Sequence, residues 1–309
     1  MVQYAKNEHI NIILACGLSV CFVVVFSFTA VVARHLPKKE VAVIHMEHVQ
    51  SKNVFNKDAF LNVQVEGKAF IVYDLYTHEI IASKNATTTL PLASITKVMT
   101  AVSSVLHKSR QAPITIEKRS IEDGYDLGLK NGQVWTLSEL LKYTLIFSSN
   151  DGAEAVADSF GNEQVFLDQM NNDAKDFGLN FYFTDPAGRD ENGLIGGKGS
   201  ALDVAKLLGI ARHQIPDLLD ATTKKRQTMK ASTGRIGGIP NTNQEIESMP
   251  GAEGSKTGYT DLAGGNLGII VDVTIGHPVA VVVLGSTREG RFRDMNILYE
   301  ALRKSMLSH

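Results

Sequence analysis

Two apolar runs near the C-terminus, residues 265–275 and 278–284, are separated only by Gly276 and His277. Rich in Val and Ile and joined by a turn, they predict a β-hairpin. A second hairpin is predicted far upstream, where residues 69–75 and 79–84 flank Tyr76-Thr77-His78. Between the hairpins the apolar spacing is helical. Helices are predicted from Pro91 to Leu106, from Thr136, with Glu139 three residues on, to Phe147, and over 151–160, 163–177 and 201–213, with a last amphipathic one over 291–307. A Gly-rich connection lies around Gly124 to Gly132. Hairpins at both ends with helices between constrain the fold class to α+β. One antiparallel sheet is assembled from the two chain ends and covered by helices, and the middle forms a mostly helical subdomain.

The composition, 44% hydrophobic and 21% charged over 309 residues, suits one large globular domain or two small ones. Basic and acidic side chains number 31 and 33, for a formal net charge of −2, and no long basic run occurs. A nucleic-acid partner therefore gets no support, and Lys224-Lys225-Arg226 reads as a solvated face. Both cysteines, Cys16 and Cys21, lie in an N-terminal apolar stretch, so disulfides do not hold the fold.

Residues 10–33 carry no charge. As a helix this run spans about 36 Å, enough to cross a bilayer with some tilt. It is longer than the roughly 7–15 apolar residues of a cleaved signal peptide, so a transmembrane anchor is preferred to cleavage after Val31-Val32-Ala33. The expected organisation is a tail over 1–9, the anchor over 10–33, a polar stalk over 34–59 and a catalytic domain over 60–309. Lys6 precedes the run while Arg34, Lys38 and Lys39 follow it, a bias that would leave the domain in the cytoplasm. The chemistry below requires the opposite side. His45 and His48 in the stalk lack further ligands in a metal-binding pattern, and no metal or cofactor is expected.

Three short motifs carry the chemistry. Ser94 and Lys97, three apart at the start of an apolar helix, share a face. Burial there favours the neutral amine, which can take a proton from a serine hydroxyl. Ser148-Ser149-Asn150 sits on a joint between two predicted helices; the same Ser-x-Asn pattern at 51–53 and 83–85 lies in the stalk and at a strand end. Lys256-Thr257-Gly258 opens onto Tyr259 and the late hairpin. A cation, a hydroxyl donor and an unobstructed backbone are the parts that hold a carboxylate. Each motif alone is weak. In this order, with Ser94 and Ser148 54 residues apart and Asn150 and Lys256 106 apart, they form the serine-lysine signature.

Over residues 60–307 the chain resembles the low-molecular-mass penicillin-binding proteins, the D-alanyl-D-alanine carboxypeptidases and endopeptidases. The likeness extends to Asp74, Pro91-Leu92-Ala93, Asp151 with Ala153 and Ala155, Asp185-Pro186-Ala187-Gly188, Pro240-Asn241-Thr242-Asn243, and Thr260-Asp261 with Ala263-Gly264. Two departures stand out: Leu90-Pro91 lacks the arginine often found upstream, and Arg189 replaces the apolar residue that usually follows the glycine. The resemblance implies that Ser94 attacks the bond between two terminal D-alanines of a peptidoglycan stem peptide while Lys97 takes its proton. It gives Ser148 the proton relay to the leaving amine, Asn150 the substrate amide, and Lys256 with Thr257 the terminal carboxylate. The backbone N–H groups of Ser94 and of Tyr259, next to Gly258, would make the oxyanion hole. β-Lactams are the implied covalent inhibitors, and the implied location is the cell membrane, with the domain on the extracytoplasmic side. Endopeptidase activity is the alternative with the same residues. A class A β-lactamase would need a deacylating acid, for which Asp176-Phe177-Gly178-Leu179-Asn180 is a near match, and a non-catalytic wall-peptide module would have no need of Ser94 or Lys97.

Overall fold

The computed structural model describes residues 55–121 and 129–307. The predicted anchor, most of the stalk and residues 122–128 of the Gly-rich connection lie outside them. Among the described residues no helix is long and apolar enough to cross a membrane.

In chain order the strands are β1 (Ala69–Asp74), β2 (Ile80–Lys84), β3 (Leu90–Pro91), β4 (Pro113–Thr115), β5 (Val134–Thr136) and β6 (Tyr182–Phe183). Then come β7 (Gly197–Gly199), β8 (Arg226–Ala231), β9 (Gly234–Pro240), β10 (Ala252–Thr260), β11 (Gly264–Asp272) and β12 (Pro278–Ser286). The helices are α1 (Thr96–His107), α2 (Leu137–Phe147), α3 (Asn150–Asp158), α4 (Glu163–Asp176), α5 (Ala201–Gln214), α6 (Pro216–Ala221) and α7 (Gly290–Leu307).

Both predicted hairpins join one five-stranded sheet in the order β10-β11-β12-β1-β2. The chain ends meet where β1 pairs antiparallel with β12, Ile71 opposite Val282 and Val72 opposite Val281. This explains why the late strands read as continuous apolar runs. Along β12, Ala280, Val282 and Leu284 enter one core with α1 and α5, while Val279, Val281 and Val283 enter a second core with α7. A sheet covered on both faces has no water-facing side to make polar.

The middle of the chain, expected to be mostly helical, carries strands as well. It holds a four-stranded sheet, β4-β5-β8-β9, and a three-stranded one, β3-β7-β6. These strands are short or largely exposed, and β9 has three glycines, so neither hydrophobic alternation nor strand propensity marks them. At the other end, Phe55 is buried and Asn56 N–H donates to Ser305 O (2.9 Å), so residues 55–59 of the predicted stalk pack on α7.

On α7, Leu302 is fully buried while Ile297 is 42% exposed. Leu302→Ala should therefore cost about 2–5 kcal/mol in chemical denaturation, and Ile297→Ala less than about 1 kcal/mol. Equal costs would mean that another face of the helix packs.

Candidate active site

Ser94 lies on a 3-10 turn, Ala93–Ile95, that leads directly into α1. The regular helix begins at Thr96, and the turn before it opens on Ala93 at φ +49°, a left-handed conformation that costs a residue with a Cβ about 1–3 kcal/mol. Neighbours fix the turn. Asn266 Nδ2 donates to the carbonyls of Pro91 and Leu92 (3.0 Å each). Gly188, at φ +75°, has no room for a side chain, since a Cβ there would lie 2.1 Å from the Ala93 carbonyl oxygen. On the other flank β10 presses in: a Cβ on Gly258 would lie 2.8 Å from Leu92 O and 3.2 Å from Ser94 N. The glycines of two family-like motifs are thus what lets backbone close around the serine.

Lys97, one turn on, is completely buried. Its Nζ reaches Ser94 Oγ (2.8 Å), Asn150 Oδ1 (2.8 Å) and Ala187 O (2.7 Å). Ser148 and Asn150 come from the joint between α2 and α3. Ser148 closes α2 with φ +65°, while Ser149 caps α3 by accepting from Gly152 N–H (2.7 Å). Ser148 Oγ accepts from Lys256 Nζ (2.8 Å), which also donates to Thr257 O (2.9 Å). Thr257 Oγ1 donates to Thr242 Oγ1 (2.6 Å), drawing the predicted 240–243 segment into the site. Of the predicted residues, these contacts join Ser94, Lys97 and Asn150 in one set and Ser148, Lys256 and Thr257 in another, Gly258 packs closely beside Ser94, and Tyr259 follows on the same edge strand.

Lys256 is 2% exposed, and neither of its two partners above is a carboxylate. Burial holds its amine well below the usual lysine range, and the neighbouring Lys97 and Arg291 push the same way. Sequence reasoning missed Arg291. It is 8% exposed, and burial, with Arg288 nearby, pushes its guanidinium down to about 10. Its Nη1 donates to Gly258 O (2.7 Å). In a planar trans peptide, holding that carbonyl directs the N–H of Tyr259 to the opposite side. A signal existed: Arg291 stands in the first turn of α7, where the helix dipole disfavours a cation. The Ala187 carbonyl, by contrast, carries no side-chain signal at all.

The family described as D-alanyl-D-alanine carboxypeptidase matches residues 52–288. The chain belongs to that family. The D-alanyl-D-alanine carboxypeptidase DacF of Bacillus subtilis is 30% identical over 203 residues, 63% of this chain and 51% of that protein. This chain therefore spans about half the length of that relative. A D-alanyl-D-alanine endopeptidase of Pseudomonas aeruginosa is 29% identical over 232 residues, covering 72% and 73% of the two chains. Among solved structures, a penicillin-binding protein of Listeria monocytogenes with cefotaxime bound is similar at a TM-score of 0.67 and 27% identity, covering 78% of this chain and 98% of that one.

The near match to a β-lactamase acid coincides with the end of a helix. Asp176 is exposed at the end of α4, and Gly178 (φ +68°) terminates that helix.

A lysine held below its ordinary range in the fold binds fewer protons than in the unfolded chain, so it destabilises the fold increasingly as pH drops below the unfolded value. Lys256→Met should therefore raise the thermal midpoint at neutral pH, with the gain shrinking as pH climbs toward about 10.4. Thermal unfolding across pH checks this; a lowered midpoint at pH 7 would refute the assignment of a strained amine.

Proposed function

We propose that this chain is a membrane-anchored serine DD-carboxypeptidase, hydrolysing the terminal D-Ala-D-Ala bond of peptidoglycan stem peptides through an acyl-enzyme on Ser94. The observation that carries this reading is the Ser94 hydroxyl 2.8 Å from the amine of a lysine with no solvent exposure.

The geometry supports Lys97 as the base. Its Nζ lies 2.8 Å from Ser94 Oγ, and Asn150 Oδ1 and Ala187 O, which can only accept, hold it there through its N–H groups. As a neutral amine it receives the Ser94 proton while Oγ attacks the carbonyl carbon. With Oδ1 engaged, Asn150 offers substrate its Nδ2 donors. Lys256 and Thr257 face the terminal carboxylate, and Ser148 passes the proton to the departing D-alanine amine. The N–H groups of Ser94 and Tyr259 would stabilise the oxyanion, where one donor is typically worth about 10²–10³ in rate. Water then releases the acyl-enzyme. β-Lactams, which carry an acyl bond and a carboxylate in similar array, are the expected covalent inhibitors.

Residues 10–33 are the proposed anchor, residues 34–59 the stalk and residues 60–309 the catalytic domain, which works on the extracytoplasmic side of the membrane where peptidoglycan lies. DD-Endopeptidase activity is the second reading, favoured by the endopeptidase among the relatives. Incubating the protein with a pentapeptide ending in D-Ala-D-Ala and with crosslinked dimers, followed by mass analysis, separates the two.

Ser94→Ala should abolish D-alanine release and labelling by a fluorescent penicillin; label surviving on that variant would identify a different nucleophile. Lys97→Arg should be almost inactive because arginine does not give up its proton, and near wild-type acylation would remove lysine from the role of base.

A further inference from the structure

The two acceptors of the Lys97 amine come from different elements. Asn150 opens α3, and Ala187 lies on the loop between β6 and β7. Behind them those same two elements are joined by a second set of contacts. Glu154, four residues after Asn150 and on the same face of α3, accepts from Arg189 Nη2 at short range, and Arg189 is two residues after Ala187. Arg189 Nε and Nη2 also donate to Asp185 Oδ2 (3.0 and 2.9 Å), while Asp185 Oδ1 accepts from the backbone N–H of Ala187 (2.8 Å) and Arg189 (2.9 Å). The loop is therefore tied from its own backbone, through Asp185 and Arg189, to the helix that carries Asn150. Both side chains are largely out of solvent, at 27% exposure for Arg189 and 13% for Glu154. Arg189 is also one of the two departures from the family resemblance.

We propose that Arg189 and Glu154 form a clasp that fixes the spacing of Asn150 Oδ1 and Ala187 O, making Arg189 a positioning residue for acylation at Ser94. The proposal rests on the serine-peptidase reading above. Its physical content is that Asn150 Oδ1 and Ala187 O, from two elements, hold Lys97 Nζ 2.8 Å from Ser94 Oγ. If the loop moves away from α3, those two oxygens separate, the amine shifts, and proton transfer falters. Misplacement of a reacting group by about 1 Å can cost about a hundredfold in rate.

Charge around the clasp gives it a pH signature. Glu154 faces Asp185 and Arg189 from the loop, Glu163 from the start of α4 and Asp158 from its own helix. Oxygens of Glu154, Glu163 and Asp185 lie within 4.8 Å of one another, so Arg189 supplies positive charge to a crowded acidic group. Burial pushes the Glu154 carboxyl up to about 8 against the pull of Arg189. Below that pH Arg189 donates to a neutral acid, and above it to a carboxylate.

The test measures the second-order rate of labelling by a fluorescent penicillin, together with kcat and KM for D-alanine release and circular dichroism to confirm folding. Arg189→Leu should slow acylation about ten- to a hundredfold with KM nearly unchanged, and Arg189→Lys should recover part of the loss. Glu154→Gln keeps an acceptor without a charge, so it should follow the wild type below pH 8 and fall behind above it. Arg189→Leu combined with Glu154→Leu should lose no more than Arg189→Leu alone, the mark of two residues acting as a unit. Wild-type acylation by folded Arg189→Leu, additive losses in the double variant, or a change confined to KM would overturn the clasp. A wild-type protein that takes no label would instead overturn the proposed function, and the clasp with it.

Discussion

The amine of Lys97, sealed from water and surrounded by oxygens of Ser94, Asn150 and Ala187, sets the terms for the rest of the structure. An amine taken out of water costs several kcal/mol unless its N–H groups find acceptors. The three oxygens belong to a turn, a helix start and a loop that are far apart in sequence, so three independent stretches must converge on one atom. The backbone bears the strain of that convergence: Ala93 and Ser148 both adopt left-handed conformations, at φ +49° and +65°. Such residues persist only where surrounding structure over-determines them. Here the five-stranded sheet, buried on both faces, supplies that rigidity.

The sheet also contributes directly at its edge. β10 is the outermost strand, so groups on its free side are available to an extended peptide. Asn266 on the neighbouring strand β11 accepts from Gly285 N–H (2.8 Å) and donates to Pro91 O and Leu92 O, so a single side chain locks β12 and the serine turn to β11. Arg291 does the equivalent for Gly258 from the far end of the chain. The serine turn, the strand edge and the last helix are therefore tied together by hydrogen bonds, which is what an oxyanion site needs if its donors are not to reorganise during reaction.

These features were unequally visible in the sequence. The sheet was legible because Val279 to Leu284 bury every side chain, leaving no polar position to confuse strand with loop. α2 was legible from its cap, Thr136, with Glu139 three residues on, where the Thr136 side chain accepts from the Glu139 N–H. The two small sheets were not. Arg226 to Ala231 is mostly solvent-exposed and its partner strand is rich in glycine, so their pairing is decided by tertiary context rather than local preference. Within the site, side chains in short motifs were readable, whereas groups reached only through folding were not. The Ala187 carbonyl is chemically like every other carbonyl, and nothing in the sequence near Glu154 indicates Arg189 as its partner.

Two buried amines in one site raise the question of which carries the proton. Like charges close together in a poorly solvated site cannot both ionise cheaply, so the protons belong to the pair and their distribution follows what surrounds each member. Lys97 and Arg291 both push against charge on Lys256. An incoming carboxylate at Lys256 and Thr257 would reverse that balance, favouring the ammonium at Lys256. A charged Lys256 would in turn disfavour charge at Lys97 and leave its lone pair free for Ser94. On the proposed reading the substrate's own anion thus helps to arm the base. This separates a peptide with a free terminal carboxylate from one without it on electrostatic grounds alone, before any difference in the shape of the cleft.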